Sequence, residues 1–220
     1  MLRANNIHKS YGDLKILKGI SLEIPDKEVS CIVGSSGAGK TTLLQILGTL
    51  DKPDLGEVYL DDLLISNLKG NKLANLRNER LGFIFQFHQL LPEFTAIENV
   101  MIPGLIGKQT KASVREKANG LLDYLGLGAR IEHKPSELSG GEQQRVAVAR
   151  ALINNPEIIF ADEPSGNLDS ENSQDLHNLF FQLKKEKGQT FVIVTHNNEL
   201  ASMADNKFIM KDGLLLQGND

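Results

Sequence analysis

The sequence predicts an α/β fold: a parallel sheet covered by helices on both faces, an N-terminal antiparallel β subdomain and an inserted helical subdomain. Three observations predict it. Val29 to Val33, Ile158 to Ala161 and Phe191 to Val194 are continuous apolar runs separated by helical periodicity, the pattern of parallel strands buried on both faces. The first 30 residues instead alternate short apolar runs with turns at Tyr11-Gly12 and Pro25-Asp26, as short antiparallel strands do. From Gln86 to about Asn154 the character is mainly helical. The core is therefore expected at about 1–86 and 155–220, and the helical subdomain at about 87–154.

The elements follow in order. Val29 to Val33 is a buried strand that runs into a Gly-rich loop. After the loop, Thr41 to Leu50 reads as a helix whose Leu43, Leu44, Ile46, Leu47 and Leu50 make it well buried. Val58-Tyr59-Leu60 and Gly82-Phe83-Ile84-Phe85 read as strands. Ala118, Leu121, Leu122 and Leu125 fall at i, i+3, i+4 and i+7, and Gly126 supplies a stop. Beyond the strand Ile158 to Ala161, a helix face is marked by Leu176, Leu179, Phe180 and Leu183 and ends at Gly188. The basic run Lys184-Lys185-Glu186-Lys187 belongs to that helix end, where cations favour the negative end of the dipole.

Composition narrows the function. At 220 residues, 40% hydrophobic and 24% charged, the chain can form one large domain or a core with a subdomain. A net charge of −4 argues against nucleic acid as the main partner, because a phosphate backbone demands a basic face. The one cysteine, Cys31, excludes an intrachain disulfide and sits in an apolar run, as a buried small hydrophobe would. No apolar core of a secretory signal follows Met1. No stretch reaches the roughly 18–20 apolar residues that span a bilayer. Any membrane role is expected to come through a partner.

Three motifs carry chemistry. Gly34-Ser35-Ser36-Gly37-Ala38-Gly39-Lys40-Thr41 matches G-x-x-x-x-G-K-[ST] at every fixed position, with a strand before it and a helix after it. Such a loop turns its backbone N–H groups onto phosphate oxygens, aided by the helix N-terminus. Lys40 can reach the β- and γ-phosphates, and the Thr41 hydroxyl can ligate Mg²⁺. No guanine-reading Asn-Lys-x-Asp follows a strand. In Ile158-Ile159-Phe160-Ala161-Asp162-Glu163, four apolar residues end in two acids. The strand would deliver Asp162 to the sheet edge to hold Mg²⁺ through water, and Glu163 to polarise an attacking water. In Leu138-Ser139-Gly140-Gly141-Glu142-Gln143-Gln144-Arg145, Ser139 and Glu142 form a capping box opening a helix that ends near Asn155-Pro156. An ordinary capped helix explains Ser139 and Glu142 but not two glycines in its first turn.

That last segment resembles the signature of ABC transporter ATP-binding subunits, and with the other two motifs the resemblance covers essentially the whole chain. It implies a P-loop NTPase (RecA-like) core that binds ATP and Mg²⁺ and hydrolyses ATP. Tyr11 is similar to the aromatic that stacks on adenine, Gln86 to the Q-loop glutamine, Asp169 to the D-loop aspartate and His196 to the switch histidine. The resemblance assigns Glu163, His196 and Gln86 to catalysis. It assigns Tyr11, Gly34, Ser35, Ser36, Gly37, Ala38, Gly39, Lys40, Thr41 and Thr42 to ATP, and Thr41, Gln86 and Asp162 to Mg²⁺. It implies a head-to-tail homodimer in which Ser139, Gly140, Gly141, Glu142 and Asp169 face the ATP of the partner subunit. Such a subunit sits peripherally on the cytoplasmic side of the inner (plasma) membrane.

Gln86 to Val100 resembles the lipoprotein-releasing (Lol-type) ATPases, while Asp162-Glu163-Pro164-Ser165-Gly166-Asn167-Leu168-Asp169 is also similar to macrolide exporters and the cell-division ABC ATPase. Gln89 and Ser165 differ from the residues more often found in the lipoprotein group. The implied function is release of lipoproteins from the inner membrane. The alternatives are a macrolide or antimicrobial peptide exporter and a cell-division complex. Integral membrane subunits are expected to dock at Phe87 to Phe94, which places Phe87, Leu90, Leu91 and Phe94 in a stretch whose Pro92 prevents a continuous helix.

Overall fold

The computed structural model describes residues 1–216. In chain order its elements are β1 (Leu2–Tyr11), β2 (Leu14–Ile24), β3 (Val29–Gly34), α1 (Lys40–Leu47), β4 (Leu55–Leu60), β5 (Leu63–Leu64), α2 (Gly70–Arg80) and β6 (Leu81–Phe85). Then come α3 (Ala96–Ile106), α4 (Lys111–Tyr124), α5 (Gly140–Leu152), β7 (Ile158–Asp162), α6 (Ser170–Lys187), β8 (Thr190–Val194), α7 (Asn198–Met203), β9 (Asn206–Lys211) and β10 (Leu214–Leu216). The contacts group residues 1–74 with the described residues from 180 onward, and residues 75–179 with one another. Secondary-structure character alone puts the boundaries near 86 and 155; compactness groups β6 and β7 with the helices.

The first unit holds two sheets. One is antiparallel, ordered β2-β1-β4-β5, as the early turns predict. Leu2, Ala4 and Ile7 of β1 and Leu17, Ile20, Leu22 and Ile24 of β2 are buried, so one apolar face per strand pays the ordering cost. In the other sheet β3 lies between β8 and β9, parallel to both, with Cys31 opposite Ile193 and Lys207. β10 adds to β9 antiparallel. All five residues from Val29 to Val33 are buried, the polar Ser30 among them, as expected of a strand covered on both faces. Phe180 of α6 meets Phe191 of β8 at 5.0 Å between ring centroids, both fully buried. Each such ring contributes roughly 1.5–3 kcal/mol relative to an exposed one. Burial pushes the Cys31 thiol up to about 12, which makes it an inert hydrophobe.

In the second unit β6 and β7 pair in parallel, with Phe85 opposite Asp162. Phe83 stacks on Phe160 at 5.7 Å. Helices α3, α4 and α5 pack on one another and α5 packs on β6. Among the described residues no helix is long and apolar enough to cross a membrane.

Two expectations need correction. The helix expected over Thr41 to Leu50 ends at Leu47: Gly48 caps it, Thr49 adopts a left-handed φ of 61°, and Leu50 is exposed rather than buried. The helix expected to end near Asn155 ends at Leu152. Five elements, β5, α2, α7, β9 and β10, were not read from sequence: β5 and β10 are leucine runs of two and three residues, α7 has six residues, and α2 buries only Leu76.

Glycine is required where β4 crosses the β1 bulge. Gly56 has φ +97°, and a Cβ there would lie 2.4 Å from the Asn6 carbonyl oxygen and 2.6 Å from that of Asn5. Gly56→Ala is expected to destabilise the protein by about 1–3 kcal/mol, read as a lower urea midpoint. Gly120→Ala, on an exposed position of α4 with nothing within 4 Å of the added Cβ, should instead raise that midpoint by up to ~1 kcal/mol.

Candidate active site

In the first unit a glycine-rich loop joins the end of β3 to α1. Gly34 must approach the β9 backbone closely: a Cβ there would lie 2.2 Å from the Met210 carbonyl oxygen. The chain then turns through exposed Ser35, Ser36 and Gly37 and enters α1. Gly39, the N-cap, brings no side-chain acceptor to the first turn, and that turn carries no acid. A helix start with neither a side-chain cap nor an acid suits an external anion. Lys40 arches back over the loop, its Nζ donating to the Gly34 carbonyl at 2.9 Å and the Ser35 carbonyl at 3.1 Å. A cation held by two carbonyls beside uncapped helix N–H groups fits a chain of phosphates. Thr41 is exposed and Thr42 half-buried in the same turn.

His196 reaches the same end of that sheet. Ile32 of β3 pairs with Val194 of β8, and the Thr195 N–H donates to the Ile32 carbonyl at 3.1 Å. His196 follows, exposed, just before α7. Tyr11 closes β1 with its ring 51% exposed.

The second unit gathers the other expected residues at the ends of β6 and β7. Because Phe85 pairs with Asp162, Gln86 and Glu163 emerge from neighbouring strands at one edge. Asn167 binds Gln86 twice: Gln86 Nε2 donates to Asn167 Oδ1 at 3.0 Å, and Asn167 Nδ2 donates to the Gln86 carbonyl at 3.2 Å. Glu163 sits in a left-handed turn at φ 46°, its carbonyl accepting from Gly166 N–H at 3.0 Å. Such a backbone costs energy at a non-glycine residue and concentrates at functional sites.

The capping box is formed as read. The Ser139 hydroxyl accepts from Glu142 N–H at 3.2 Å, and Glu142 Oε2 accepts from Ser139 N–H at 2.8 Å. Asp169, exposed, accepts from the Asn172 N–H and side-chain amide, both at 2.8 Å. Asn172 in turn explains one signature glycine, since a Cβ on Gly141 would lie 2.3 Å from its Oδ1. Gly140 is exposed, and a Cβ there would meet only Leu168 at an ordinary 3.7 Å.

The chain matches the ABC transporter family over residues 17–166. The chain belongs to the ABC transporter family. It is 58% identical to the lipoprotein-releasing system ATP-binding protein LolD of Porphyromonas gingivalis, over 98% of each chain. It is 56% identical to LolD of Cytophaga hutchinsonii, over 98% of this chain and 99% of that one. Among solved structures it resembles the dimeric bacterial ABC transporter cassette MJ0796, with a TM-score of 0.90, 41% identity and coverage of 99% and 97%. It also resembles MJ0796 in a dimeric post-hydrolysis state bound to ADP and Pi, with a TM-score of 0.89 and 40% identity over the same shares. The chain is an ATPase of the ABC type.

Two residues of this ABC ATPase escaped the sequence reading. Arg150, late in α5, donates to the Gln89 carbonyl at 2.6 Å and the His88 carbonyl at 2.7 Å. It thereby holds two consecutive residues with left-handed φ, 51° at His88 and 50° at Gln89. Asn99, fully buried, accepts from Leu91 N–H at 2.8 Å and donates to the Leu91, Phe94 and Thr95 carbonyls at 3.0–3.1 Å. Together they fasten the stretch after Gln86 from both ends. An Asn set between Ile97 and Val100-Met101, in a mostly apolar helical stretch, was a usable signal for the second; nothing local pointed to Arg150.

The cap also has a pH signature. The Ser139 N–H, then Arg130, whose Nε donates to Glu142 at 3.0 Å, hold the Glu142 carboxyl below its ordinary range. A carboxyl depressed by folding stabilises above its unfolded value, about 4.3, and loses that contribution as pH falls through its folded value. Glu142→Gln should therefore lower the urea midpoint at pH 7, and its gap to the wild type should close as pH falls below about 4. A gap independent of pH would mean that the carboxylate's charge does not hold the cap.

Proposed function

We propose that this chain is the ATPase motor of a lipoprotein-releasing transporter, working as a head-to-tail pair beneath integral membrane subunits on the cytoplasmic face of the inner membrane. What carries the reading is the 56–58% identity, over nearly the full length of each chain, to relatives named for lipoprotein release. The pairing is supported by the dimeric form of the cassettes it resembles.

The roles proposed for its residues follow the chemistry of each group. Tyr11 stacks on adenine. The loop from Gly34 to Thr42 wraps the phosphates, and Lys40 exchanges its two carbonyl partners for β- and γ-phosphate oxygens. Glu163 takes the proton of the attacking water. Gln86 orients that water, and the hydrogen bond that its Nε2 donates to Asn167 Oδ1 sets where its amide points. His196 donates to the γ-phosphate. Ser139, Gly140, Gly141, Glu142 and Asp169 complete the partner's site. In that role the Ser139 hydroxyl, which within the subunit accepts from Glu142 N–H and donates to its carboxylate, would turn its proton to the phosphate.

Thr41, Gln86 and Asp162 are the residues proposed to hold Mg²⁺. A hydroxyl, an amide oxygen and one carboxylate are hard oxygen donors, too few for an all-protein cage. That fits an ion whose remaining ligands are phosphate and water. Among the described residues no cluster of three His, Cys, Asp or Glu offers a competing metal site. Bound there, Mg²⁺ would neutralise charge developing on the phosphate oxygens.

Docking is proposed at Phe87 to Phe94. Phe87 is 74% exposed, Leu91 43% and Phe94 41%, so these side chains do not pack the core of the second unit. An apolar patch on a fastened loop suits a short helix of a membrane subunit.

Glu163→Gln is expected to bind ATP as the wild type does and to lose at least roughly 100-fold in turnover. Reconstituted with the membrane subunits that copurify with the chain, the wild type should release an acylated lipoprotein from proteoliposomes on addition of ATP, and Glu163→Gln should not. Release without ATP, or none with it while ATP is hydrolysed, would refute the cargo. Phe87→Ser with Leu91→Ser should leave a folded ATP-binding chain that no longer copurifies with those subunits. Retained copurification would place docking elsewhere.

A further inference from the structure

Tyr11 stands at the end of β1 with half its ring in solvent, so packing alone does not fix the ring's orientation. Its hydroxyl is fixed instead. It donates to Asp51 Oδ2 at 2.7 Å and also bonds the Thr42 hydroxyl in the first turn of α1. Asp51 lies four residues past the end of α1. Its Oδ1 accepts from Lys9 Nζ at 3.0 Å and from Lys52 N–H at 2.7 Å. Lys9 is 8% exposed, donates also to the Lys52 carbonyl at 2.7 Å, and sets its ammonium 5.2 Å from the centroid of the Tyr11 ring. One carboxylate therefore holds both the tip of the ring and the cation that covers one of its faces.

The Tyr11–Asp51 bond is not needed to hold the loop in which Asp51 sits. That loop is already tied to β1 by Ser10 N–H donating to Asp54 Oδ2 at 2.6 Å and by Asp54 N–H donating to the His8 carbonyl at 2.9 Å. What the bond adds is a fixed ring plane. With Lys9 over one face, a single face remains for a flat ligand.

We propose that Asp51 is a positioning residue for the nucleotide base: it locks Tyr11 and Lys9 so that one preset face of the ring receives the purine. This rests on the reading of Tyr11 as the adenine-stacking residue. Removing the lock leaves the ring to be ordered at the moment of binding, which weakens affinity by roughly two- to tenfold.

The test separates base from phosphate. Calorimetry with the full chain would compare Mg-ADP, which engages ring and loop, with magnesium pyrophosphate, which engages the loop alone. Asp51→Ala and Tyr11→Phe should each weaken ADP about two- to tenfold and leave pyrophosphate unchanged. The double variant should be no weaker than either single one, because both remove the same bond. In steady-state hydrolysis the loss should fall on KM and not on kcat. The chain has three tyrosines, so Tyr59→Phe with Tyr124→Phe leaves Tyr11 as the sole ultraviolet reporter. In that background Asp51→Asn should move phenolate formation to lower pH. If Tyr11→Ala binds ADP as the wild type does, the stacking reading itself fails. If Tyr11→Ala weakens ADP but Asp51→Ala does not, stacking stands and the positioning inference is overturned. A parallel loss of pyrophosphate binding in Asp51→Ala, or an unmoved Tyr11 titration, also overturns it.

Discussion

Parallel pairing constrains everything chemical in this chain. Parallel strands run in one direction, so whatever follows each strand emerges at a common edge. In the first unit the pairing of Ile32 with Val194 sends the phosphate loop and His196 to the same end of the sheet. In the second, the pairing of Phe85 with Asp162 does the same for Gln86 and Glu163. Residues 77 positions apart in sequence thus leave neighbouring strands at one edge. The register is strict because the strands are buried on both faces. A slip by one residue would exchange the two faces of an apolar strand and move every terminal side chain by over 3 Å.

The loops that leave those edges are irregular, and cations hold them. Lys40 bonds the carbonyls of Gly34 and Ser35, Arg150 those of His88 and Gln89, and Lys9 that of Lys52. In each case carbonyls without a ladder partner converge on a positive side chain. Hydrogen bonds to charged groups contribute about 1.5–3 kcal/mol, more than enough to offset the cost of a left-handed residue or two. Arg150 and Lys40 differ in one decisive respect. Arg150 holds two consecutive left-handed residues, whereas Lys40 closes over a loop whose sequence has the phosphate-binding pattern.

What was legible in the sequence followed from how strongly local chemistry dictates structure. The buried strands were legible because each is a short, almost wholly apolar run bounded by turn or loop residues. The phosphate loop and the capping box were legible because their residue types have a backbone reason at fixed spacing. Helix α2 was not, since it buries Leu76 alone and so leaves no apolar stripe to read. Nor was the early end of α1, where Gly48 and the left-handed Thr49 outweigh the apolar pattern running on to Leu50. Arg150 was hidden for a different reason: its partners are carbonyls 61 and 62 positions away, and a carbonyl has no residue identity to read. The apolar cluster after Gln86 was visible, but whether it faced the core depended on the strap and on Asn99, which hold the loop with Phe87, Leu91 and Phe94 outward.

The two signature glycines show how structure divides a motif between folding and function. Composition makes both anomalous, since glycine in a first helical turn costs roughly 0.5–1 kcal/mol relative to alanine. Within the subunit only Gly141 has a reason: Asn172, itself held by Asp169, occupies the space a Cβ would need. That contact makes Gly141, Asn172 and Asp169 one packed unit, so a shift of the helix start is a shift of Asp169. Gly140 meets nothing that alanine would disturb, and it is exposed. A residue that costs stability and yields no packing in its own fold must be justified outside it. The feature that glycine offers there is a bare backbone N–H at a helix start, open to close approach by an anion. Ser139 beside it is engaged within the subunit, its hydroxyl accepting from Glu142 N–H and bonding the Glu142 carboxylate, so the cap accounts for Ser139 and Glu142 and leaves Gly140 unaccounted for.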